Sequence, residues 1–284
     1  MRIDLHTHSA VSDGTDRPAE LVRKAQAAGL DVVALTDHDT FDGLDEAVAA
    51  GRELGIEVVR GVELSTRRAG QSVHLLGYGA DESHPGLNEE MERIRAGRSM
   101  RLAPVLERLA ALGYPLTEEQ VLLQVGGSPS IGRPHIADAL VAAGYLADRK
   151  EAFDRFLADG GPAHVPRYAT PLERGIDLIH DAGGVAIIAH PWGRGREQNL
   201  TEDVLTALVA EHRLDGFEVD HQDHDEQTRA RLRRLAGRLA VLGTGSSDYH
   251  GSGKVDHDLG CNLTSAEDFA ELRNRLAVRP VREG

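Results

Sequence analysis

Asp4-Leu5-His6-Thr7-His8-Ser9, continued by Ser12-Asp13-Gly14, closes the first apolar run of this 284-residue chain. The run from Arg2 to His6 reads as a strand, and residues two apart on a strand point the same way. His6 and His8 therefore aim two imidazoles at one point, as ligands of a metal ion must. Asp13 adds a carboxylate from the loop that follows. A lone His-x-His also fits one surface histidine and one packed one, so the rest of the chain decides.

Working outward, the same strand-then-polar pattern recurs. A helix over 18–28, with Pro18 in its first turn and Gly29 at its stop, leads to the apolar strand 31–36 and then Asp37-His38-Asp39. A helix over 43–54 precedes strand 57–64, which carries Glu63, and strand 72–78, which carries His74. From about Ser83 to Thr170 the rhythm changes to helices over 87–112, 117–123, 131–143 and 150–158, broken at Gly126-Gly127 and Gly160-Gly161. It then resumes with helix 172–182, strand 184–189 and His190-Pro191. Helix 202–211, strand 215–219, helix 225–236, strand 239–243 and a last helix over 266–276 complete the chain. Apolar strands separated by amphipathic helices imply a parallel sheet covered on both faces. The expected architecture is an α/β barrel of seven strands from residues 1–82 and 171–284, with residues 83–170 inserted as a helical cap.

His6, His38, Glu63, His190 and Asp248 all fall at or just past the C-terminal end of an expected strand. In a parallel barrel those ends form one face, where active sites are built. Five separate segments deliver ligand-type side chains there, whereas core histidines would scatter along the elements.

With those residues in place, the chain resembles the PHP family, named for its polymerase-associated and histidinol-phosphatase members. The resemblance rests on DLHTHS (4–9), SDG (12–14), TDHD (36–39), GVE (61–63), HLLGY (74–78), AHP (189–191) and SDYH (247–250). It implies a distorted seven-stranded barrel, (β/α)7, holding two or three divalent metal ions. By resemblance, one metal takes His6, His8, Glu63 and Asp248. A second takes Glu63 as a bridge with His74 and His190, and a third takes Asp13, His38 and His250. The family often has a histidine where Asp13 stands. A carboxylate there is the harder ligand and favours manganese, ferrous iron or magnesium over zinc.

A multinuclear cluster suits phosphoester hydrolysis, because metals acidify a water and bind phosphoryl oxygens. The expected catalytic residues are Asp248, His190 and His250, the two histidines as proton donors to the leaving alkoxide. Ser130-Ile131-Gly132-Arg133-Pro134-His135 opens an expected helix, and Arg133 there reads either as a phosphate clamp or as the partner of an acidic neighbour. The resembling branch carries a similar GRPH segment, which favours a substrate role for Arg133 and His135. In the loop after the sixth strand, His224 is the expected substrate contact by the same resemblance. Asp37 and Asp39 read as turn chemistry, with Asp37 alternatively orienting a ligand imidazole. Trp192 reads as a pocket wall or as packing.

The branch resembles nucleoside 3',5'-bisphosphate phosphatases, some of whose relatives trim short RNA from the 5' end. Histidinol-phosphate phosphatase is the alternative. Many amidohydrolases, the other enzyme class that opens with His-x-His, bridge two metals with a carboxylated lysine at a strand end, whereas Lys24, Lys150 and Lys254 stand elsewhere; a metal-bound scaffold would lack ligands that are all present. The partner is accordingly a small anionic substrate, a nucleotide or short oligoribonucleotide.

A net charge of -14 argues against duplex nucleic acid held on a basic face. No apolar run reaches membrane-spanning length, the N-terminus is a charged strand rather than a signal peptide, and the single Cys261 suits a reducing compartment. The expectation is a cytoplasmic protein with no membrane partner, monomeric or weakly dimeric by family habit.

Overall fold

The structure, a computed structural model, describes residues 1–278. The strands are β1 (Ile3–Asp4), β2 (Val32–Leu35), β3 (Glu57–Arg68), β4 (Gln71–Tyr78), β5 (Thr170–Pro171), β6 (Val185–Ile188), β7 (Gly216–Asp220) and β8 (Leu242–Gly245). They pair in the order β1-β2-β3-β4-β6-β7-β8, with β5 beside β3. β4 is the exception to parallel pairing, antiparallel to both β3 and β6. A bridge between Thr7 and Tyr249 and a hydrogen bond from Thr264 N to Ile3 O bring the first and last strands together. The seven-stranded path is thereby a nearly closed barrel. Its lumen is packed by Ile3, Leu5, Val32, Ala34, Leu76, Tyr78, Val185 and Ile187, all buried. Strands flanked by helices on one side and lumen on the other bury every residue, as Val32–Leu35 does.

The outer helices are α1 (Pro18–Ala27) and α2 (Leu44–Leu54) on one side, with α8 (Leu172–Asp181), α9 (Glu202–His212), α10 (Glu226–Leu239) and α11 (Ala266–Val278) completing the ring. Between β4 and β5 lie α3 (Pro85–Met100), α4 (Leu102–Ala111), α5 (Glu118–Val125), α6 (Arg133–Ala142) and α7 (Arg149–Ala152), the last followed by a π-helical turn over Phe153–Leu157. The single helix expected over 87–112 is two, broken at Arg101. Pro104 is the physical reason: it has no N–H to donate to Met100 and its ring crowds the preceding turn. The apolar face of α3 (Leu87, Met91, Ile94) packs into the barrel's own cluster. A separate core begins at Leu102 and gathers Val105, Leu109, Val121, Ile136, Leu140 and Phe156. The packing boundary thus lies near Arg101, while the change of sequence rhythm lies near Ser83, because α3 is helical yet anchored to the barrel. No helix among the described residues is long and apolar enough to cross a membrane.

Candidate metal centre and its arginine-lined mouth

The residues from His6 to Gly14 are held by hydrogen bonds to the neighbouring strand and its end. Thr7, pointing away from His6 and His8, donates its hydroxyl to Ala34 O at 2.6 Å. Asp37 accepts from Ser9 N (2.8 Å), Ser9 Oγ (2.6 Å) and Ser12 Oγ (2.6 Å), so its role is to fasten the turn that carries Asp13. Gly14 is obligatory there, since a Cβ would lie 2.2 Å from His8 O.

Around Glu63 five imidazoles converge. Its Oε2 lies 3.0 Å from His8 Nε2, 3.1 Å from His38 Nδ1 and 3.3 Å from His6 Nε2. Its Oε1 lies 2.7 Å from His74 Nδ1 and 3.6 Å from His190 Nε2. Asp248 Oδ1 adds a second carboxylate, 3.5 Å from His6 Nε2 and 3.6 Å from His8 Nε2. Asp13 stands with His250 (3.2 Å), His38 (3.6 Å) and His8 (3.9 Å). All nine residues expected to hold metal are therefore in one cluster. Glu63 does not end its strand: β3 runs on to Arg68 as one arm of a hairpin, and His74 enters from the antiparallel return arm.

The donor chemistry fits divalent cations. His6 Nδ1 lies 3.1 Å from a carboxylate oxygen of Glu218, which only accepts, so Nδ1 carries the proton and Nε2 presents its lone pair. That lone pair faces His8 Nε2 at 2.9 Å, a contact that calls for a cation or a shared proton. His38 Nδ1 and Glu63 Oε1 are buried without a hydrogen-bond partner. His250 donates Nδ1–H to Asp248 O at 2.9 Å, which turns the lone pair of Nε2 towards Asp13. Sets of donor atoms lying within 4.8 Å of one another are His8/Asp13/His38/His250, His6/His8/Asp248, His38/Glu63/His74 and His190/His221/Asp248.

Electrostatics keep these groups ready to ligate. Burial pushes the Glu63 and Asp13 carboxyls up, yet the imidazoles around them outweigh it and hold both well below the carboxylate range. Burial drives His38 down to about 3 and lowers His190 and His250, so all three stay neutral near pH 7. His6 and His8 move up instead, because Glu63 and the other acids outweigh their burial; without metal they hold protons that an arriving cation would displace. Two cluster residues sit in left-handed backbone, His190 at φ 30° and Asp248 at φ 53°. Such strain costs about 1–3 kcal/mol per residue and persists where surrounding structure enforces it.

Several residues depart from the sequence reading. His224 does not present its ring to the cluster: Nδ1 bonds Val219 O at 3.0 Å and Nε2 accepts from Trp192 N at 3.3 Å. His221 takes that place, 3.3 Å from Asp248 Oδ2. Arg133 donates to Asp159 Oδ1 (2.6 Å) and Leu157 O (2.9 Å), the acidic-neighbour alternative. His135 accepts Gly132 N–H at Nδ1 and caps α6, while its ring stays buried near Asp13 and Arg98. Trp192 donates to Leu200 O under Arg231, a packing role. His190 accepts from Arg196 at Nδ1 (2.9 Å), leaving the proton on Nε2. Lys254, which looked remote, ion-pairs with Asp248 Oδ2.

Two features were missed. Glu218 is buried and holds His6 Nδ1, the backbone N–H of His190 and Ser246; an acid between Phe217 and Val219 in the middle of β7 was the signal available. The second is a group of arginines beside the cluster. Arg98 reaches from α3 to Asp39 and to Ser65 Oγ (2.7 Å), next to His38 in sequence, and lies against Gly132. Buried Nε atoms of Arg67 and Arg98 have no hydrogen-bond partner. Burial, then Arg98, pushes the Arg167 guanidinium down to about 9. Arg101 is pushed well down by burial and by Arg167, Arg133 and Arg98, and makes no side-chain ion pair or hydrogen bond among the described residues. Among the described residues, the ion pairs of Arg67, Arg98, Arg101, Arg133 and Arg167 are two, Arg98 with Asp39 and Arg133 with Asp159.

Comparison with known proteins places this geometry. A PHP domain model matches residues 4–123. The chain is 35% identical to a 5'-3' exoribonuclease of Haemophilus influenzae, over 88% of this chain and 90% of that one. It is 33% identical to a 3',5'-nucleoside bisphosphate phosphatase of Chromobacterium violaceum, over 91% and 90%. It is also 33% identical to a phosphoribosyl 1,2-cyclic phosphate 1,2-diphosphodiesterase of Eggerthella lenta, over 89% and 96%. A solved structure from Bifidobacterium adolescentis, assigned to the metal-dependent phosphoesterases, superposes with a TM-score of 0.91 at 38% identity over 96% of each chain.

Proposed function

The chain belongs to the PHP family and is a metal-dependent phosphoesterase, and from that premise we propose that it removes the 3'-phosphate of a nucleoside 3',5'-bisphosphate. The observation that carries this reading is the arginine group beside the donor cluster. Five guanidinium groups, Arg98 and Arg101 buried and the others half-buried, outnumber the two carboxylates paired with them and call for an anion beyond the one the metals hold. A substrate with two phosphates answers both demands; histidinol phosphate, with one phosphate and a cationic amine, answers only the first.

His6, His8, Asp13, His38, Glu63, His74, Asp248 and His250 are the proposed ligands of two or three divalent ions. Those ions, when bound, supply Lewis acidity to the phosphoryl oxygens and an acidified water. The chain's own groups do the rest. Glu218 fixes the tautomer of His6, and Lys254 with His221 holds Asp248 Oδ2 so that Oδ1 faces the cluster. His190, a neutral ring with its one proton on Nε2 by virtue of its Arg196 contact, is placed to donate a hydrogen bond to the leaving 3'-oxygen, which takes its proton from solvent water. This role replaces its expected one as a metal ligand. Arg67, Arg98, Arg101 and Arg167 grip the 5'-phosphate.

Trimming of short RNA is the second reading, supported by the exoribonuclease relatives, because a backbone phosphate would suit the same arginines. The test is kcat/KM with manganese on a nucleoside 3',5'-bisphosphate, a nucleoside 3'-monophosphate, histidinol phosphate and a short oligoribonucleotide. The bisphosphate should lead and yield a 5'-nucleotide. A lead for histidinol phosphate would overturn the proposal, and a lead for the oligoribonucleotide would favour the second reading.

A further inference from the structure

One contact crosses from the helices after β4 to the metal cluster itself. Arg149, the first residue of α7, grips both oxygens of Asp138 on α6, with Nε at 2.5 Å and Nη2 at 2.6 Å. That bidentate fork fixes the guanidinium plane. Its remaining nitrogen, Nη1, donates 3.0 Å to the main-chain carbonyl of Asp13. The side chain is 14% exposed, so the bond is shielded from competing water. Gly253 lies flat against the same guanidinium: a Cβ there would stand 2.1 Å from Nη1. Gly253 directly precedes Lys254, which holds Asp248. One arginine from outside the barrel therefore abuts both loops that bring carboxylates to the cluster.

The bond at Asp13 matters because of how that residue is held. Its carboxylate reaches His250, His38 and His8, while its loop is tied to the barrel on either side of it, through Ser9 and Ser12 to Asp37 and through Thr15 N to His250 O. The carbonyl of Asp13 has no partner there. Arg149 supplies it, and so sets the rotation of the peptide from which the carboxylate projects.

We propose that Arg149 is a positioning residue for Asp13, so that metal retention by Asp13, His38 and His250 depends on the Asp138–Arg149 clasp of the helical segment. This rests on the reading of that trio as metal ligands. Partners that orient a metal's ligands typically contribute ten- to a hundredfold in metal affinity. Removing the fork should therefore weaken one metal site and leave the Glu63 sites intact.

The experiment measures manganese binding to purified full-length protein by competition with a chelating dye, alongside far-UV circular dichroism and melting of the metal-free form. Arg149→Ala should lower affinity at one site about ten- to a hundredfold, and Asp138→Asn should do the same more mildly. Arg149→Lys should recover part of the loss, since it keeps the charge but not the fork. A merely structural role would lower the melting temperature and leave metal affinity at the parent value. That outcome, or equal weakening at every site, would overturn the proposal. A parent protein that binds no manganese would instead overturn the metal-ligand reading on which it rests.

Discussion

Replacing Arg101 by methionine should move stability and function in opposite directions. Arg101 sits at the α3–α4 junction, buried, with Arg98, Arg133 and Arg167 outweighing Asp159 among its charged neighbours and no side-chain ion pair among the described residues. A buried charge without a partner is costly, and replacing buried ionic groups by packed apolar ones is often stabilising. Arg101→Met keeps the aliphatic stem and deletes the charge. The substrate-free protein should gain about 1–3 kcal/mol. At about 2–4 °C per kcal/mol for a domain of this size, melting should rise by roughly 2–12 °C in buffer free of phosphate and sulfate. The same change removes one charge-assisted contact to the second phosphate, on the order of 1.5–3 kcal/mol, so kcat/KM on a nucleoside 3',5'-bisphosphate should fall about ten- to a hundredfold. A monophosphate ester lacking the second phosphate should be cleaved almost as before. The assays are thermal melting and paired kcat/KM values for the two substrates. A variant that melts lower than the parent and discriminates the substrates unchanged would refute the reasoning, because Arg101 would then be a satisfied structural residue.

Glu63→Ala should lose more than one equivalent of metal by elemental analysis, since each of its oxygens faces a different set of imidazoles; full occupancy would contradict a bridging role. Arg133→Ala should retain the parent's metal and lose kcat/KM equally on mono- and bisphosphates, because its guanidinium is committed to Asp159 and Leu157 O; a loss confined to bisphosphates would return it to the phosphate site. His257 donates to Ser247 O at 2.6 Å, and burial, then Lys254, pushes it down to about 4 from an ordinary 6.5. Its folded pKa is depressed, so the stability it contributes is present above pH 6.5 and is lost as pH falls towards 4. His257→Gln should flatten that part of the melting-versus-pH curve, and parallel curves for parent and variant would exclude the histidine as its source.

The gathering of the candidate metal donors at one rim was legible in the one-dimensional pattern. Two-residue spacing on a strand sends His6 and His8 one way, and each apolar run ends in a polar ligand type, so a parallel arrangement must gather His38, His190 and Asp248 at one rim. The strand-helix rhythm likewise carried the seven-stranded path, because burial on both faces leaves continuous apolar runs. The reversal of β4 could not be read, since Gln71–Tyr78 would look the same running either way; only its pairing with β3 and β6 shows that His74 enters from the opposite direction. Nor could the sequence choose between His221 and His224, which share a loop and differ in which ring nitrogens the backbone claims. The arginines were least legible of all. On α3, Arg98 has the spacing of a solvated helix face, and Arg67, Arg101 and Arg167 are scattered over a hundred residues. Their convergence depends on how the helices after β4 settle on the barrel rim, and long-range packing of that kind leaves no period in the sequence.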